Sequence, residues 1–433
     1  MLGIRDSIAF PADKQEKFSD IKSRDGYIKC RNLSFSRKVS GAEGVFKRIK
    51  KSSVNSRSNS LSSRLGDVRE RRLPCEICFF QFQHDWHKLL LRNCRGGGTF
   101  REMNRIGMSH SYDDIISADN LLDAWKEFLK GKQKKKDVQA FEYNLIENIS
   151  MLRSDLVSGK YRHGSYTHFK ISDPKPRDIH KASVRDRLVH HAVYRVLYPF
   201  FDRKFINDSY SCRLGKGTHR AMNAFRQYAY RASENHAKTL WILKCDIKKF
   251  FASIDQQLLL DILKQYLSDE RTIKLLQNII ESFRSTALGK GLPLGNLTSQ
   301  LLVNICMNEF DQFAKHRLKA RYYIRYSDDF VILSTDREWL ISLLPRIRDF
   351  LHENLKLELH PNKVSVSTLA SGVDFLGWVH FPDHRILRTS TKRRMLKAVS
   401  GSPNEATLMS YRGMLKHGNA HKLSKLIPTT TSA

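Results

Sequence analysis

The chain has 433 residues, 41% of them apolar, enough for real hydrophobic cores and for two to four compact units of about 150 residues each. Its 75 Lys and Arg against 44 Asp and Glu give a formal net charge of +31, which excludes a neutral or acidic surface and makes nucleic acid the leading partner, with salt-sensitive binding. No apolar run approaches the ~18 residues of a spanning helix, and Met1-Leu2-Gly3-Ile4-Arg5-Asp6 lacks the apolar core of a secretory signal, so no membrane partner is expected and the location is expected to be cytoplasmic.

Residues 1–107 read as a basic N-terminal extension of low order: serine-rich at 52–64, basic at 47–51, with the run Gly96-Gly97-Gly98 and little periodicity. Met108, just before the first well-patterned helix, is an alternative natural start. The 7 cysteines, thinly spread, read as reduced thiols. Cys75 and Cys78 precede His84 and His87, but the gap before the histidines is shorter than in common zinc fingers, so incidental cysteines are preferred to a zinc site.

From Ser117 the pattern becomes helical. Leu121, Leu122, Trp125, Phe128 and Leu129 share one face; a second helix carries Val138, Phe141, Leu145, Ile149, Leu152 and Leu156. The basic turn 130–136 between them is either a solvated loop or a template contact. Asp113-Asp114 reads as a solvated segment ahead of a helix, not a catalytic pair. Residues 166–171 alternate as a strand, Lys175-Pro176-Arg177 breaks it, and 185–197 is helical. A clear strand, 240–245, ends at Asp246 and leads through Phe250-Phe251 to a helix capped by Asp255, carrying Leu258, Leu259, Ile262 and Leu263. After the glycine-rich 289–295, a helix runs from about Thr298 through Leu301, Leu302, Ile305, Phe310 and Phe313.

A hairpin follows: Tyr322-Tyr323-Ile324-Arg325-Tyr326, a turn at Ser327-Asp328, and Phe330-Val331-Ile332-Leu333. One acid at a turn is unremarkable. Two adjacent acids between strongly apolar strands repel each other and are costly to bury without a cation. Asp246, ending another strand, supplies a third carboxylate that one sheet could bring to shared ions ~4 Å apart.

At this point the sequence resembles the palm of reverse transcriptases. Asp246-Ile247-Lys248-Lys249-Phe250-Phe251 is similar to the first catalytic motif and Tyr326-Ser327-Asp328-Asp329 to the third. Ser209-Tyr210-Ser211-Cys212-Arg213 with Gly215 and His219, Gly291-Leu292-Pro293-Leu294-Gly295 with Ser299-Gln300, Leu357 to Lys363, and Val373-Asp374-Phe375-Leu376-Gly377 fall in the family's order. The resemblance covers about residues 115–425 and implies an α+β right-hand polymerase fold. Its parts would be N-terminal helices and fingers over 108–238, an antiparallel-sheet palm over 239–380 and a short helical thumb over 381–433.

By the same resemblance, Asp246 and Asp328, with the Ile247 carbonyl, would hold two Mg²⁺ ions, or Mn²⁺ in their place, which activate the primer 3′-hydroxyl and neutralise the triphosphate. Asp329 would assist or lie behind them. Lys175 and Arg177 would clamp the incoming triphosphate, with ordinary solvated surface as the alternative. Lys363 would donate a proton to pyrophosphate, with a structural salt bridge as the alternative. Phe251 would act as a steric gate against a ribose 2′-hydroxyl, favouring dNTPs, while Phe250 packs inward because neighbours on an extended segment point oppositely. Phe375, Leu376 and Gly377 would grip the primer. The implied partners are template RNA, a DNA or RNA primer, dNTPs and an accessory protein whose identity stays open.

Leu294-Gly295 and Ser299-Gln300 depart from the commoner Gln-Gly and Ser-Pro pattern and resemble the enzymes of diversity-generating retroelements, which copy RNA with errors at adenines. The aliphatic Leu294 cannot hydrogen-bond at the nucleotide site, and Gly295 and Gln300 complete that segment. Group II intron, retron and phage-defence enzymes are the alternatives. The basic tail segment 410–419 reads as a helix suited to a duplex minor groove. A basic RNA-binding scaffold with a degenerate palm is the alternative of another class, opposed by retention of all three acids.

Overall fold

The computed structural model describes residues 112–172, 176–285, 287–401 and 403–427. The basic extension 1–107, the group Cys75, Cys78, His84 and His87, and Lys175 lie outside the described residues.

Among the described residues four helices come first: α1 (Tyr112–Ile116), α2 (Ala118–Leu129), α3 (Lys136–Tyr143) and α4 (Leu145–Val157). Ser117 caps α2 by accepting from the Asn120 amide, and the predicted face buries Leu121, Trp125 and Phe128. Two expectations change here. The single helix expected over 138–156 is two, interrupted at Asn144 with φ −114° and ψ 43°. The Asn148 side chain donates to the Phe141 carbonyl at 2.9 Å, satisfying an acceptor near the break. Asp113 and Asp114 lie inside α1, in its first turn, where negative charge suits the helix dipole; Asp113 also pairs with Arg271 at 2.7 Å.

The hairpin β1 (Thr167–Ile171) and β2 (Arg177–Lys181) stands apart as a two-stranded sheet, followed by α5 (Val184–Asp202) and α6 (Thr218–Ala232). The central sheet is built from β3 (Trp241–Asp246), β4 (Tyr323–Tyr326), β5 (Asp329–Ser334) and β6 (Ser365–Thr368), in the order β4-β5-β3-β6, every pair antiparallel. Between β3 and β4 lie α7 (Phe250–Ser253), α8 (Gln256–Tyr266), α9 (Glu270–Glu281) and α10 (Leu297–His316); α11 (Arg337–Leu355) precedes β6. Asp255 caps α8 as expected, accepting from the Leu258 amide at 2.9 Å.

The two faces of this sheet follow from the two-residue period of a strand. Leu243, Cys245, Tyr323, Phe330 and Ile332 pack into a core with the helices. Ile242, Ile324, Val331 and Leu333 pack into a second core with Phe225 of α6 and residues after 369. That region holds a three-stranded sheet, β7 (Val373–Phe375), β8 (Trp378–His380) and β9 (Arg385–Leu387), then α12 (Thr389–Ser400), α13 (Glu405–Leu415) and α14 (His421–Ser424). Leu376 and Gly377, at φ +53° and +86°, make the two-residue turn between β7 and β8, the backbone pattern of a type I′ hairpin. The helix expected over 410–419 stops at Leu415. The chain then folds onto β9, the Asn419 amide donating to the Arg385 carbonyl at 2.8 Å, and Gly418 lies so close to Trp378 that any Cβ would run into the indole.

The α+β class and the right-hand polymerase architecture are therefore as expected: an antiparallel palm sheet backed by helices, with the β1–β2 hairpin and the terminal helices attached. Among the described residues no helix is long and apolar enough to cross a membrane.

Phe310 is fully buried between the helices and the hairpin, its ring 4.9 Å from Phe330 and 6.1 Å from Tyr323. Phe310→Ala should cost about 3–5 kcal/mol in urea unfolding; a loss under about 1 kcal/mol would show that this core is not what supports the sheet.

Candidate active site

The register of the central sheet places Asp246, the last residue of β3, directly opposite Asp329, the first residue of β5. Both are buried, and by strand alternation both face away from the helices. Asp328 sits beside them in the two-residue turn between β4 and β5 and is half-buried. The turn is closed by Tyr326 paired with Asp329, and its first central residue, Ser327, has φ +59°. A positive φ at that position alone matches a type II′ turn, where glycine is the usual occupant. Serine there carries about 1–2 kcal/mol of backbone strain.

Neighbouring contacts hold this turn. The Ile247 amide donates to the Asp328 carbonyl at 3.3 Å. The hydroxyl of Thr218, at the start of α6, donates to the Tyr326 hydroxyl at 3.1 Å. Beneath the turn Arg325 is fully buried: Nε and Nη2 each reach Asp311 at 2.7 Å, Nη1 donates to Asn304 at 3.2 Å and to the Ser327 carbonyl at 3.1 Å, and Nη2 also donates to Ser209 at 3.0 Å. Sequence reading passed over Arg325, Asp311, Asn304 and Ser209 as a set. The available signal was an arginine on the same strand face as Tyr323, which requires a buried counter-charge.

Lys363 is brought to the acids by backbone pairing of distant segments. The His360 amide donates to the Asp246 carbonyl at 2.8 Å and the Lys248 amide to the Glu358 carbonyl at 2.9 Å, so residues 358–363 run beside the end of β3. Lys363 Nζ then meets Asp246 Oδ1 at 2.8 Å. Lys244, on β3, donates to the Asp374 carbonyl at 2.6 Å, tying the sheet to the β7–β8 hairpin of Phe375, Leu376 and Gly377.

Hydrogen bonds also tie several of the remaining expected segments together. The His180 amide donates to the Leu294 carbonyl at 3.3 Å and Asn296 Nδ2 to the His180 carbonyl at 3.1 Å, fixing the 294–296 segment against β2, which begins at Arg177. Gly295 has φ +109°, and a Cβ there would press on Ile179 at 3.2 Å. Gln300 is buried near the start of α10 and Leu294 is half-buried. Phe250 is buried and Phe251 half-buried as expected, but the reason differs: the two residues open the short helix α7, after Lys249 at φ +46°, and are not an extended pair. The Leu292 amide donates to the Phe251 carbonyl at 2.8 Å, joining the two motif segments.

The electrostatics follow from burial. Desolvation raises the Asp328 carboxyl, and Asp246 raises it further, against a lowering influence from Lys363 and Arg177. Asp329 is pushed up to about 7, first by desolvation, then by Asp328 and Asp246, with Lys244 opposing. Among the described residues no three acidic, histidine or cysteine side chains already form a ligand cage. The donor set nonetheless fits a divalent cation: crowded, mutually repelling carboxylate oxygens are hard ligands, and one of them meets the Lys363 side chain.

Residues 171–380 match the family model described as reverse transcriptase (RNA-dependent DNA polymerase). The chain is 26% identical over 302 residues to Protein YkfC of Escherichia coli, covering 60% of this chain and 77% of that one. It is 22% identical to the group II intron-encoded protein LtrA of Lactococcus lactis subsp. cremoris, covering 55% of this chain and 48% of LtrA, so it spans about half of that relative's length. Among solved structures, apo telomerase from Candida tropicalis superposes with a TM-score of 0.44 at 12% identity, over 62% of this chain and 57% of that one.

Burial and the neighbouring acids push Asp329 up to about 7 from an ordinary value of 3.8. The folded state thus binds more protons, and this group's contribution, full below the unfolded value, is lost as pH rises through about 7. In EDTA, Asp329→Asn should gain thermal stability relative to the parent from about pH 5 to about pH 8. Parallel Tm curves for the two proteins would contradict the assignment.

Proposed function

Because this chain carries a reverse transcriptase domain over residues 171–380, we propose that it is an active RNA-templated DNA polymerase that adds dNTPs to a primer 3′-hydroxyl. The observation that carries this reading is the convergence of Asp246, Asp328 and Asp329 at adjacent strand ends, the first and last buried and Asp328 half-buried, with desolvation raising Asp328 and Asp329. Asp246 and Asp328, with the Ile247 carbonyl, would hold Mg²⁺ or Mn²⁺, and Asp329 would support them. Bound there, the ions supply Lewis acidity toward the primer hydroxyl and the triphosphate.

The protein's own groups do the rest. Arg177, close enough to Asp328 to influence its carboxyl, would steady the triphosphate. Lys363, whose Nζ meets Asp246 Oδ1 at 2.8 Å, would protonate the leaving pyrophosphate. Phe251, tied through its backbone to Leu292, would exclude a ribose 2′-hydroxyl. Phe375, Leu376 and Gly377 would seat the primer on a hairpin that Lys244 fixes to the catalytic strand. Template RNA, a DNA or RNA primer and dNTPs are the proposed partners. The relative spanned only in part, LtrA, is named as intron-encoded, and a retroelement context is proposed for this chain too.

With an RNA template and a DNA primer, the protein should incorporate dNTPs only when Mg²⁺ or Mn²⁺ is present, and Asp328→Asn should lose at least about a hundredfold. Equal incorporation by the variant would sink the reading in favour of a binding scaffold.

The finer reading is error-prone copying of the kind made by diversity-generating retroelements, supported by Leu294 at a position where it offers only a backbone hydrogen bond, its carbonyl accepting from His180. Sequenced cDNA should then show misincorporation opposite template adenines above the other bases, suppressed by Leu294→Gln. Equal error at all four bases points instead to an intron-type or retron-type enzyme.

A further inference from the structure

We propose that Arg325 is a positioning residue for the catalytic turn: its buried guanidinium holds Ser327 in the left-handed conformation from which Asp328 is presented. The proposal rests on the polymerase reading above and adds a residue to its machinery.

Ser327 occupies a backbone region that favours glycine, so something must hold it there. Arg325 Nη1 donates to its carbonyl at 3.1 Å, from a side chain that solvent does not reach. The guanidinium itself cannot turn. Asp311 grips it through two oxygens at 2.7 Å each, and the Tyr323 hydroxyl donates to Asp311 at 2.7 Å. Asn304, on the same face of α10, accepts from Nη1 at 3.2 Å while its amide donates to the Ser211 carbonyl at 2.9 Å. Ser209 accepts from Nη2 at 3.0 Å, and the backbone of Arg325 pairs with Asp208 and Tyr210. The planar fork is thus set by α10 and by the 208–211 segment before it meets the turn. Lysine would keep the charge against Asp311 but could not fill these directions together.

The test is a double-mutant cycle on the full chain. Arg325→Lys should lower the turnover of dNTP incorporation by at least about tenfold with the dNTP KM little changed, and should raise the Mg²⁺ concentration for half-activity. Ser327→Gly, which takes a positive φ without strain, should recover most of that loss in the Arg325→Lys protein and none in the parent. If Arg325→Lys does not fold, Asn304→Ala leaves the ion pair in place and should show the same pattern at smaller amplitude. Losses that multiply, with no rescue by glycine, would overturn the proposal and leave Arg325 a core residue only. The rise of Tm with Mg²⁺ separates the two levels: a parent protein with neither incorporation nor Mg²⁺ stabilisation overturns both, whereas an active parent with multiplying losses overturns only the role of Arg325.

Discussion

Two opposite charges, Arg325 and Asp311, are buried completely beneath the hairpin that carries Asp328 and Asp329. Removing ions from water is expensive, and the pair persists because every side of it is satisfied: one bidentate pairing, a tyrosine hydroxyl, an asparagine and a serine. Breaking such a pair by deleting one partner costs about 3–5 kcal/mol, so it locks whatever it touches. It touches α10, the 208–211 segment and the turn. It also fixes register. With Tyr323 and Arg325 committed to the helix side, Tyr326 and Asp329 must face the other way, and a slip of one residue would exchange them.

The two sides of the hairpin are electrostatic opposites. Below it, charge is compensated within the protein. Above it, three carboxylates share a desolvated space with Lys363, Lys244 and, across from Asp328, Arg177, and burial still holds two of the acids above their ordinary range. A structure selected only for stability would not crowd three carboxylates into a desolvated space, where burial raises two of them despite the neighbouring cations. On the proposed polymerase reading this crowding of acids is what divalent cations would relieve, and Lys363 meets one of the oxygens at 2.8 Å.

What could be read from sequence was local. The apolar runs at 240–245 and 330–333 announced β3 and β5, and an aspartate before an apolar helix announced the cap at Asp255. Failures were local too: no periodicity marks Asn144 as a break, and nothing in the propensity of 416–419 reveals that Trp378 will draw that backbone onto β8 and β9. Phe250 and Phe251 were oriented correctly from a wrong premise, since a helical turn can separate neighbours much as an extended segment does. The three acids were legible from the apolar strands that end at them, and the residues around them only through the family resemblance. Lys363 lies 117 residues from Asp246, and Ser209 lies 116 from Arg325, so neither pairing has a sequence-level signature. An arginine in an apolar strand was the one visible sign that a buried acid existed somewhere.

On the polymerase reading, the acids on the open face take a divalent ion. Titration of Mn²⁺ into the metal-free full-length protein, followed by the loss of its free paramagnetic resonance signal, tests this without relying on catalysis. Saturable binding that is lost in Asp246→Asn is the predicted result, with affinity rising when Lys363→Ala removes the competing ammonium. Indistinguishable Mn²⁺ binding by the parent and by Asp246→Asn would contradict it.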